Sequence, residues 1–380
     1  MNLLINSNAK NIPLADKSIN CVVTSPPYYG LRDYGTAKWE GGNPNCDHNP
    51  QKPDGGDRSD RTLPLGRGGV YHTVCGKCGA VRIDEQIGLE QTPDEYIANL
   101  VAVFRECKRI LRDDGTLWVN IGDSYAGSGN GSGDYREDGA SISKNDAKYG
   151  THKPGTPNGL KPKDLIGIPW MLAFALRADG WYLRQDIIWA KPNPMPESVK
   201  DRCTKSHEYI FLLSKSARYY YDNEAIMEVA TGFDGRKDTK YKGGPKDMAG
   251  GAHERWQYKS LETGRTGEVH SGYENPDGSL RVSFDDKGVP VRNKRDVWTV
   301  TTKPYKGAHY ATFPPKLIEP MILAGCPAGG IVLDPFVGSG TTVMVANHLG
   351  RKGIGLDLNL KYLKDNAKER LATVQPIMFN

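Results

Sequence analysis

The strongest constraint on the fold is a glycine-containing segment near the C-terminus that joins an apolar run to a helical pattern. Residues 330–333 read GIVL, which is typical of a short buried strand, and residues 334–342 read DPFVGSGTT. The next five residues predict the start of a helix. Glycines between a strand and a helix let the backbone approach a ligand closely, and Asp357, at the end of the next apolar run, is placed to bind a ribose hydroxyl pair. The segment therefore predicts an α/β fold that binds a ribose-containing ligand.

Two familiar nucleotide loops do not fit this segment. A kinase-type phosphate loop needs a lysine directly after the second glycine, and Thr341 stands there. A nicotinamide-binding loop needs a third glycine at the position of Val343. S-adenosylmethionine is the nucleoside cofactor that remains.

A second motif lies near the N-terminus, where residues 20–24 form a β-branched run that ends in Ser25-Pro26-Pro27-Tyr28. The motif therefore lies at the carboxyl end of a strand, where a parallel sheet presents ligands. An exocyclic nucleobase amine is a poor nucleophile, and acceptors such as the Ser25 hydroxyl and the Pro26 carbonyl can hold its hydrogens in the transition state. Tyr28 offers an aromatic face to a base extruded from a duplex. A proline-rigidified turn without catalytic function is the alternative interpretation.

Together these motifs resemble those of the β-class DNA amino-methyltransferases, in which the catalytic motif precedes the target-recognition region and the cofactor motif comes last. The resemblance continues through residues 117–124, 181–189, 191–199 and 309–314. It implies a doubly wound, mostly parallel α/β sheet of the S-adenosylmethionine-dependent methyltransferase type, with inserted zinc-loop and target-recognition regions. Ser-Pro-Pro-Tyr is typical of members that methylate N4 of cytosine, whereas adenine N6 enzymes usually carry Asp or Asn in place of the serine. N6-adenine methylation stays open as the alternative.

The resemblance also assigns site residues. The catalytic set is the Ser-Pro-Pro-Tyr motif, and Trp189 and Lys191 are expected beside the target base. Thr341 and Thr342 are expected to offer donors at a helix start, and Asp334 is similar to the residue that holds the amino group of the cofactor. The expected cofactor-binding residues are Asp334, Phe336, Gly338, Gly340, Thr341, Asp357, Phe313 and Pro314.

Residues 38–87 contain a candidate metal site. Cys75-Gly76-Lys77-Cys78 is followed by a glycine, which is the usual form of half a zinc site, and Cys46 with His48 can complete four ligands. His72 is an alternative to His48. Four protein ligands leave no position for a catalytic water, so the sequence predicts a structural zinc that holds a loop poor in apolar residues. Four reduced residues without a metal are the alternative.

The charge distribution favours a nucleic-acid partner. The net charge is +5, and residues 232–310 hold fifteen Lys or Arg against eleven Asp or Glu, a surplus of four. Basic residues mixed with aromatics, as at residues 255–259, suit phosphate contact and predict a region that binds duplex DNA. A solvated surface insertion is the competing interpretation. The resemblance adds a homodimer and a separate cognate restriction endonuclease as candidate partners.

Other features exclude whole classes. No run of eighteen apolar residues occurs, the N-terminus lacks the pattern of a signal peptide, and seven cysteines fit a reducing compartment. We therefore expect a cytoplasmic protein with no membrane partner. A Pro-Cys pair for carbon-5 methylation does not occur. A methyltransferase acting on RNA or on a protein amide, and a non-catalytic DNA-binding protein that retains the fold, remain as alternatives.

The apolar pattern predicts strands at 22–24, 117–121, 181–190, 209–213, 331–333 and 353–356, and helices that begin after Thr92, at Asp164 and at Pro315. The chain then divides into five regions. These are a catalytic-motif part of the core (1–37), the zinc loop (38–87), core with a flexible loop at 122–162 (88–230), the target-recognition region (231–300) and the cofactor-binding part of the core (301–380).

Overall fold

The computed structural model describes residues 3–30, 36–48, 74–90, 92–126, 159–230, 256–259, 266–269, 283–284, 290–302, 313–367 and 371. The chain forms two compact units. The larger comprises Met1–Tyr220 with Val297–Asn380, and the smaller comprises Tyr221–Asp296. No described helix is both long and apolar enough to cross a membrane.

The strands are β1 (Leu3–Asn6), β2 (Ile19–Thr24), β3 (Lys38–Glu40), β4 (Val81–Ile83), β5 (Leu111–Ile121), β6 (Tyr182–Ala190), β7 (His207–Ser214), β8 (Glu228–Val229), β9 (Trp256–Lys259), β10 (Thr266–Val269), β11 (Ser283–Phe284), β12 (Pro290–Arg292), β13 (Val297–Thr299), β14 (Ile331–Asp334) and β15 (Lys352–Asp357). The helices are α1 (Pro93–Ile110), α2 (Ile168–Ala178), α3 (Pro315–Gly325), α4 (Thr341–His348) and the short α5 (Leu360–Tyr362), which a π-helical turn follows at Leu363–Ala367.

The larger unit is built on an eight-stranded sheet in the order β1-β15-β14-β2-β5-β7-β6-β13. Only the pairings of β7 with β5 and β6 are antiparallel. The remaining five pairs are parallel. The predicted mostly parallel α/β sheet is confirmed. Strand β2 lies directly beside β14 and parallel to it, so the two sequence motifs begin at neighbouring positions at the carboxyl ends of these strands.

The sequence of helix α1 explains both where the helix begins and which of its faces is buried. The Thr92 side chain accepts a hydrogen bond from the backbone N–H of Glu95, Pro93 occupies the first turn, and acidic residues lie at the positive end of the helix dipole. Its apolar residues at helical spacing, Tyr96, Leu100 and Phe104, are completely buried in the core. The predicted helix is confirmed, and its apolar face packs on the sheet.

Several predicted boundaries were wrong. The turn sequence Asp113-Asp114-Gly115 predicts the end of α1, but the helix stops at Ile110. Residues 112–115 instead bulge out of β5, because Ile19 pairs with Leu111 and Cys21 with Thr116. Helix α2 was expected from Asp164, but it begins at Ile168 because Gly167 adopts a left-handed conformation with φ of 86°. Strands β1 and β13, which form the two edges of the eight-stranded sheet, were not predicted.

The region at 38–87 contains an antiparallel hairpin of β3 and β4, with Lys38 opposite Ile83. The predicted loop at 122–162 is described only at its ends, where Tyr125 bridges to Leu165, and residues 127–158 lie outside the described part. His72 also lies outside it.

The smaller unit contains a sheet in the order β11-β12-β8 and a hairpin of β9 and β10. Glu228 accepts hydrogen bonds from Arg292 and Arg295, so two of the basic residues counted in the surplus already have a carboxylate partner. Most of residues 231–290 lie outside the described part, and their role in DNA recognition stays a prediction.

Candidate active site

A cavity of about 1110 Å³ opens at the sheet edge where β2, β6, β14 and β15 end and β7 begins. Its volume is at the upper end of what a single small ligand needs, so it can accept two groups side by side. Most of the predicted site residues line it, namely Ser25, Pro26, Pro27, Tyr28, Trp189, Lys191, Phe313, Asp334, Phe336, Gly338, Thr341 and Asp357. The fold thus brings the catalytic and cofactor motifs into one cavity.

The catalytic segment is fixed from the side of helix α1. The Tyr96 hydroxyl donates a hydrogen bond to the carbonyl of Pro27 at 2.7 Å, and the Ser124 hydroxyl donates to the carbonyl of Tyr29 at 3.2 Å. Two consecutive prolines restrict the backbone further. Ser25 and Pro26 are therefore held at the cavity wall without the cost of ordering a flexible loop.

Tyr28 is held in place by its ring and by its hydroxyl. The hydroxyl donates to a carboxylate oxygen of Glu208 at 2.7 Å, and the ring packs so closely on Gly122 that an added Cβ would lie 2.7 Å from Cε2. Burial, followed by the charge of Glu208, raises the pKa of Tyr28 well above its usual value. Tyr28 therefore remains a neutral phenol that donates its proton.

Asp357 fixes the backbone of residues 334–342, here called the cofactor segment. Its carboxylate accepts hydrogen bonds from the backbone N–H of Gly338 at 3.0 Å and of Asn359 at 2.8 Å. Gly338 has a positive φ of 46°, which a residue with a side chain rarely adopts. Burial raises the pKa of Asp357 to about 6, so the carboxylate is ionised at neutral pH.

Asp334 connects the two motifs. Its carboxylate accepts hydrogen bonds of 2.6 Å from the hydroxyls of both Thr24 and Thr342, and one of 3.0 Å from the N–H of Phe336. Burial raises its pKa to about 6. The Thr342 hydroxyl, expected to face the cofactor, instead donates to Asp334. Asp334 thus fixes the strand that precedes Ser25 against the cofactor segment.

Two predicted cofactor residues do not line the cavity. Gly340 has a φ of 81° at the start of α4, and an added Cβ would lie 3.2 Å from Ala367. Pro314 is buried and precedes α3. Both position neighbouring residues that do line the cavity, Thr341 and Phe313. Their predicted contact with a cofactor stays a prediction.

The predicted base-pocket residues contact each other. The Trp189 indole N–H donates to the carbonyl of Val300 at 2.8 Å, and the Lys191 ammonium lies 4.3 Å from the centre of the Trp189 ring. Lys191 also forms an ion pair with Glu208. The ring of Trp189 is therefore fixed in orientation, and the charge of Lys191 is compensated.

The sequence interpretation did not identify Glu208, Lys205 and Asp123, three charged residues that line the same cavity. Glu208 lies at the start of β7, and the side-chain amide of Asn120 donates to it at 3.2 Å. Residues 207 and 208 immediately precede the apolar run that predicted this strand, and polar residues at the cavity end of a strand were the available signal.

The four predicted metal ligands are brought together in the β3–β4 insert. The Sγ atoms of Cys46 and Cys75 lie 3.9 Å apart, Cys78 Sγ lies 3.6 Å from Nδ1 of His48, and all four ligand atoms lie within 4.8 Å of one another. Two sulfurs on a tetrahedral zinc lie about 3.8 Å apart, given Zn–S bonds of about 2.3 Å. The donor set and its spacing fit such an ion.

The insert also reaches the cavity. Directly after β4, Glu85, Gln86 and Ile87 line it together with Thr36, whose hydroxyl donates to Asp84 at 3.0 Å. The side-chain amide of Asn8 donates to Glu85 at 3.3 Å. The base of the hairpin of β3 and β4 is therefore part of the cavity wall.

Substitution of Gly122 by alanine is expected to lower the rate of the reaction at this site about tenfold or more while the fold is retained. The added Cβ would lie 2.7 Å from Cε2 of Tyr28, which is too close. The Tyr28 ring can move away only by giving up the hydrogen bond from its hydroxyl to Glu208. Overpacking of this kind costs about 1–3 kcal/mol. Single-turnover rates and thermal melting measure both effects, and an unchanged rate would show that the Tyr28 position is unimportant.

Comparison with known proteins shows the family of this chain. The N6/N4 methyltransferase family model, described as DNA methylase, matches residues 19–369. The chain therefore belongs to this DNA methylase family and is a DNA methyltransferase of the N4/N6 type.

Curated relatives are similar over nearly the whole chain. Identity to Type II methyltransferase M.Cfr9I of Citrobacter freundii is 42% over 358 residues, which covers 94% of this chain and 83% of that protein. Identity to Type II methyltransferase M.SmaI of Serratia marcescens is 40% over 358 residues, covering 94% and 86%. Among solved structures, PvuII DNA methyltransferase (cytosine-N4-specific) matches with a TM-score of 0.51 and 14% identity over 100% of this chain and 88% of that one. This last likeness supports the fold.

Proposed function

We propose that this chain transfers a methyl group from S-adenosylmethionine to the N4 amino group of cytosine in duplex DNA, after the base has left the helix. The observation that carries the proposal is the shared cavity, which Ser25 and Pro26 line together with Gly338 and Asp357. A serine in the catalytic motif favours cytosine over adenine. The PvuII enzyme, whose fold is similar, is cytosine-N4-specific, which is consistent with this choice.

Direct transfer follows from the chemistry of these residues. The Ser25 hydroxyl and the Pro26 carbonyl hold the amino hydrogens and favour a tetrahedral nitrogen, which attacks the methyl group in line. S-adenosylmethionine supplies an electrophilic methyl on a sulfonium when bound. Asp357 would accept hydrogen bonds from the ribose of the cofactor, beside the backbone of Gly338, whose φ is positive.

Mass spectrometry of nucleosides tests this function. Unmethylated genomic DNA is incubated with the protein and S-adenosylmethionine, digested and analysed. N4-methylcytosine is the expected product. N6-methyladenine would overturn the choice of base, and no modified base would overturn the proposed reaction and favour RNA, protein or non-catalytic DNA binding.

Cofactor affinity is expected to weaken as the pH falls below about 6. The pKa of Asp357 is raised to about 6, so its carboxylate is an acceptor at pH 7.5 and is largely protonated at pH 5. If the ionised form binds the ribose, the dissociation constant rises about tenfold per pH unit below 6. Isothermal titration calorimetry between pH 5 and 8 measures this dependence.

Asp357→Asn is the matched control for that experiment. Its binding should be weak and nearly independent of pH, because the titrating acceptor is gone. Since burial also raises the pKa of Asp334 to about 6, a pH dependence that persists in Asp357→Asn would assign the effect to Asp334. Constant affinity of the unsubstituted protein would contradict both assignments.

We also propose that the cysteine and histidine cluster binds one structural zinc ion. Its support is the 3.9 Å spacing of two thiols and the gathering of all four ligand atoms within 4.8 Å, and it would stabilise the hairpin of β3 and β4. Four protein ligands complete the coordination, so the ion would have no part in methyl transfer.

The Type II designation of the relatives supports a separate restriction endonuclease with the same recognition sequence as a functional partner. A homodimer and a cytoplasmic location stay predictions from the sequence. Sedimentation of the protein with and without duplex DNA tests the dimer.

A further inference from the structure

Glu208 is connected to the catalytic motif by a chain of hydrogen bonds. The Ser25 hydroxyl lies 3.5 Å from the Tyr28 hydroxyl, which lies 2.7 Å from a carboxylate oxygen of Glu208. The first distance is long, but hydrogen bonds at catalytic sites commonly shorten when substrate binds. Because Tyr28 donates to Glu208, its oxygen is oriented to accept a proton from Ser25.

We propose that Glu208 receives, through Ser25 and Tyr28, the proton that the target amino group loses during methylation. The inference rests on the proposed methyl transfer to an exocyclic amine. As the N–CH3 bond forms and the S–CH3 bond breaks, the nitrogen gains a positive charge and the sulfonium becomes a neutral thioether. The nitrogen then gives a proton to the Ser25 oxygen, the Ser25 proton moves to Tyr28, and the Tyr28 proton moves to Glu208. The products are a neutral methylated base and a neutral Glu208 carboxyl.

A carboxylate is a sufficient base for this step. A methylated amino nitrogen that carries a positive charge is a far stronger acid than a carboxylic acid, so the transfer runs downhill. The Lys191 ammonium forms an ion pair with Glu208, so a positive charge lies directly beside the proposed proton acceptor. The side chains of Glu208 and Lys191 are only 14% and 17% exposed, which limits direct exchange with bulk water.

The other acids at the cavity have different partners. The carboxylate of Asp123 accepts hydrogen bonds from the backbone N–H groups of Gly167 and Ile168, Glu197 pairs with Arg202, and Asn8 donates to Glu85. Asp334 and Asp357 organise the cofactor segment, as described above. Within the described cavity wall, Glu208 is the acid that receives a hydrogen bond from Tyr28. Asn120, 3.4 Å from the Tyr28 hydroxyl, carries an amide that is too weak a base.

The test begins with Glu208→Gln, which keeps the side-chain size and an oxygen that can accept from Tyr28 but cannot take up the proton. The single-turnover rate of methyl transfer is expected to fall about a hundredfold, since positioned proton acceptors contribute about 10²–10⁴. The dissociation constants for S-adenosylmethionine and duplex DNA should stay within about threefold. Glu319→Gln, on helix α3, is the matched control and should keep the wild-type rate.

Two double variants separate proton acceptance from a structural role. Tyr28→Phe breaks the same hydrogen-bond relay, so adding it to Glu208→Gln should cause little further loss of rate. If the two residues had independent roles, the two losses of rate would multiply. If Glu208 only neutralises Lys191, adding Lys191→Met should restore the rate, and the relay predicts no such recovery. A Glu208→Gln rate within threefold of wild type, multiplied losses, or recovery with Lys191→Met would each overturn the relay.

The same assay keeps this inference separate from the proposed function. The identity of the methylated base in the wild-type reaction reports on the function, and the rate ratios of the variants report on the relay. N6-methyladenine as the product would overturn the choice of cytosine, while a hundredfold, non-additive loss in Glu208→Gln would still support Glu208 as the acceptor.

Discussion

Replacement of Ser25 by alanine is expected to reduce turnover by a factor of about 10²–10³ while cofactor affinity changes less than threefold. The hydroxyl is proposed to act on the amino group in the transition state, and loss of one such group typically costs about 3–4 kcal/mol. Ser25 lies in the proposed catalytic segment, whereas Asp357 and Gly338 lie on the side of the cavity proposed to bind the cofactor. Single-turnover kinetics combined with calorimetry of S-adenosylmethionine binding separate the two quantities.

Ser7→Ala is a suitable control for this substitution. Ser7 lines the same cavity, but its hydroxyl donates to the carbonyl of Asn11 at 3.2 Å. Its removal should leave turnover near the wild-type value. Equal losses of turnover and cofactor affinity in Ser25→Ala would show that Ser25 binds the cofactor instead of acting on the amino group.

Loss of the metal is expected to unfold the hairpin of β3 and β4 and to lower methylation by at least tenfold. Structural zinc contributes about 10 kcal/mol or more to the folding of small metal-binding units, and this hairpin has few apolar residues to replace that energy. Thr36 and Glu85 at its base line the cavity, so disorder would reach the active site. Metal analysis of protein purified under reducing conditions should give about one zinc per chain.

Cys75→Ala with Cys78→Ala should abolish that zinc content, lower the melting temperature and reduce the methylation rate. Cys203→Ala is the matched control, since Cys203 is exposed and lies outside the cluster. It should retain the metal and the activity. Wild-type protein without zinc, or a metal-free double variant with normal melting, would contradict the structural role.

The motifs at the two ends of the chain were sufficient to predict the sheet and one wall of its cavity. A strand that leads into a glycine-containing segment and then a helix is typical of few folds. Both β2, which ends just before Ser25, and β14, which ends at Asp334, lie where the sequence predicts them. Boundaries were less predictable. The start of α2 depends on the backbone conformation of Gly167, and the bulge at residues 112–115 depends on pairing with β2, which no local pattern contains.

The opposite wall of the site was harder to predict for a different reason. Glu208 acquires its importance from Tyr28, 180 residues earlier in the chain, and from Lys191, which directly follows the neighbouring strand β6. A single acidic residue before an apolar run carries no signature of such a partner. The cluster of Cys46, His48, Cys75 and Cys78 was predictable because each of its two halves, Cys46 with His48 and Cys75 with Cys78, is close in sequence.

The position of β2 between β5 and β14 has a consequence for biosynthesis. About 210 residues separate the end of β5 from the start of β14, and ribosomes add about 5–20 residues per second, so the second neighbour of β2 emerges about 10–40 s after the first. During that interval one edge of an apolar strand lacks its native partner, which favours chaperone binding or aggregation. The hydrogen bond from Thr24 to Asp334 can form only after residue 334 has been synthesised, so the cavity wall at the end of β2 is incomplete until then.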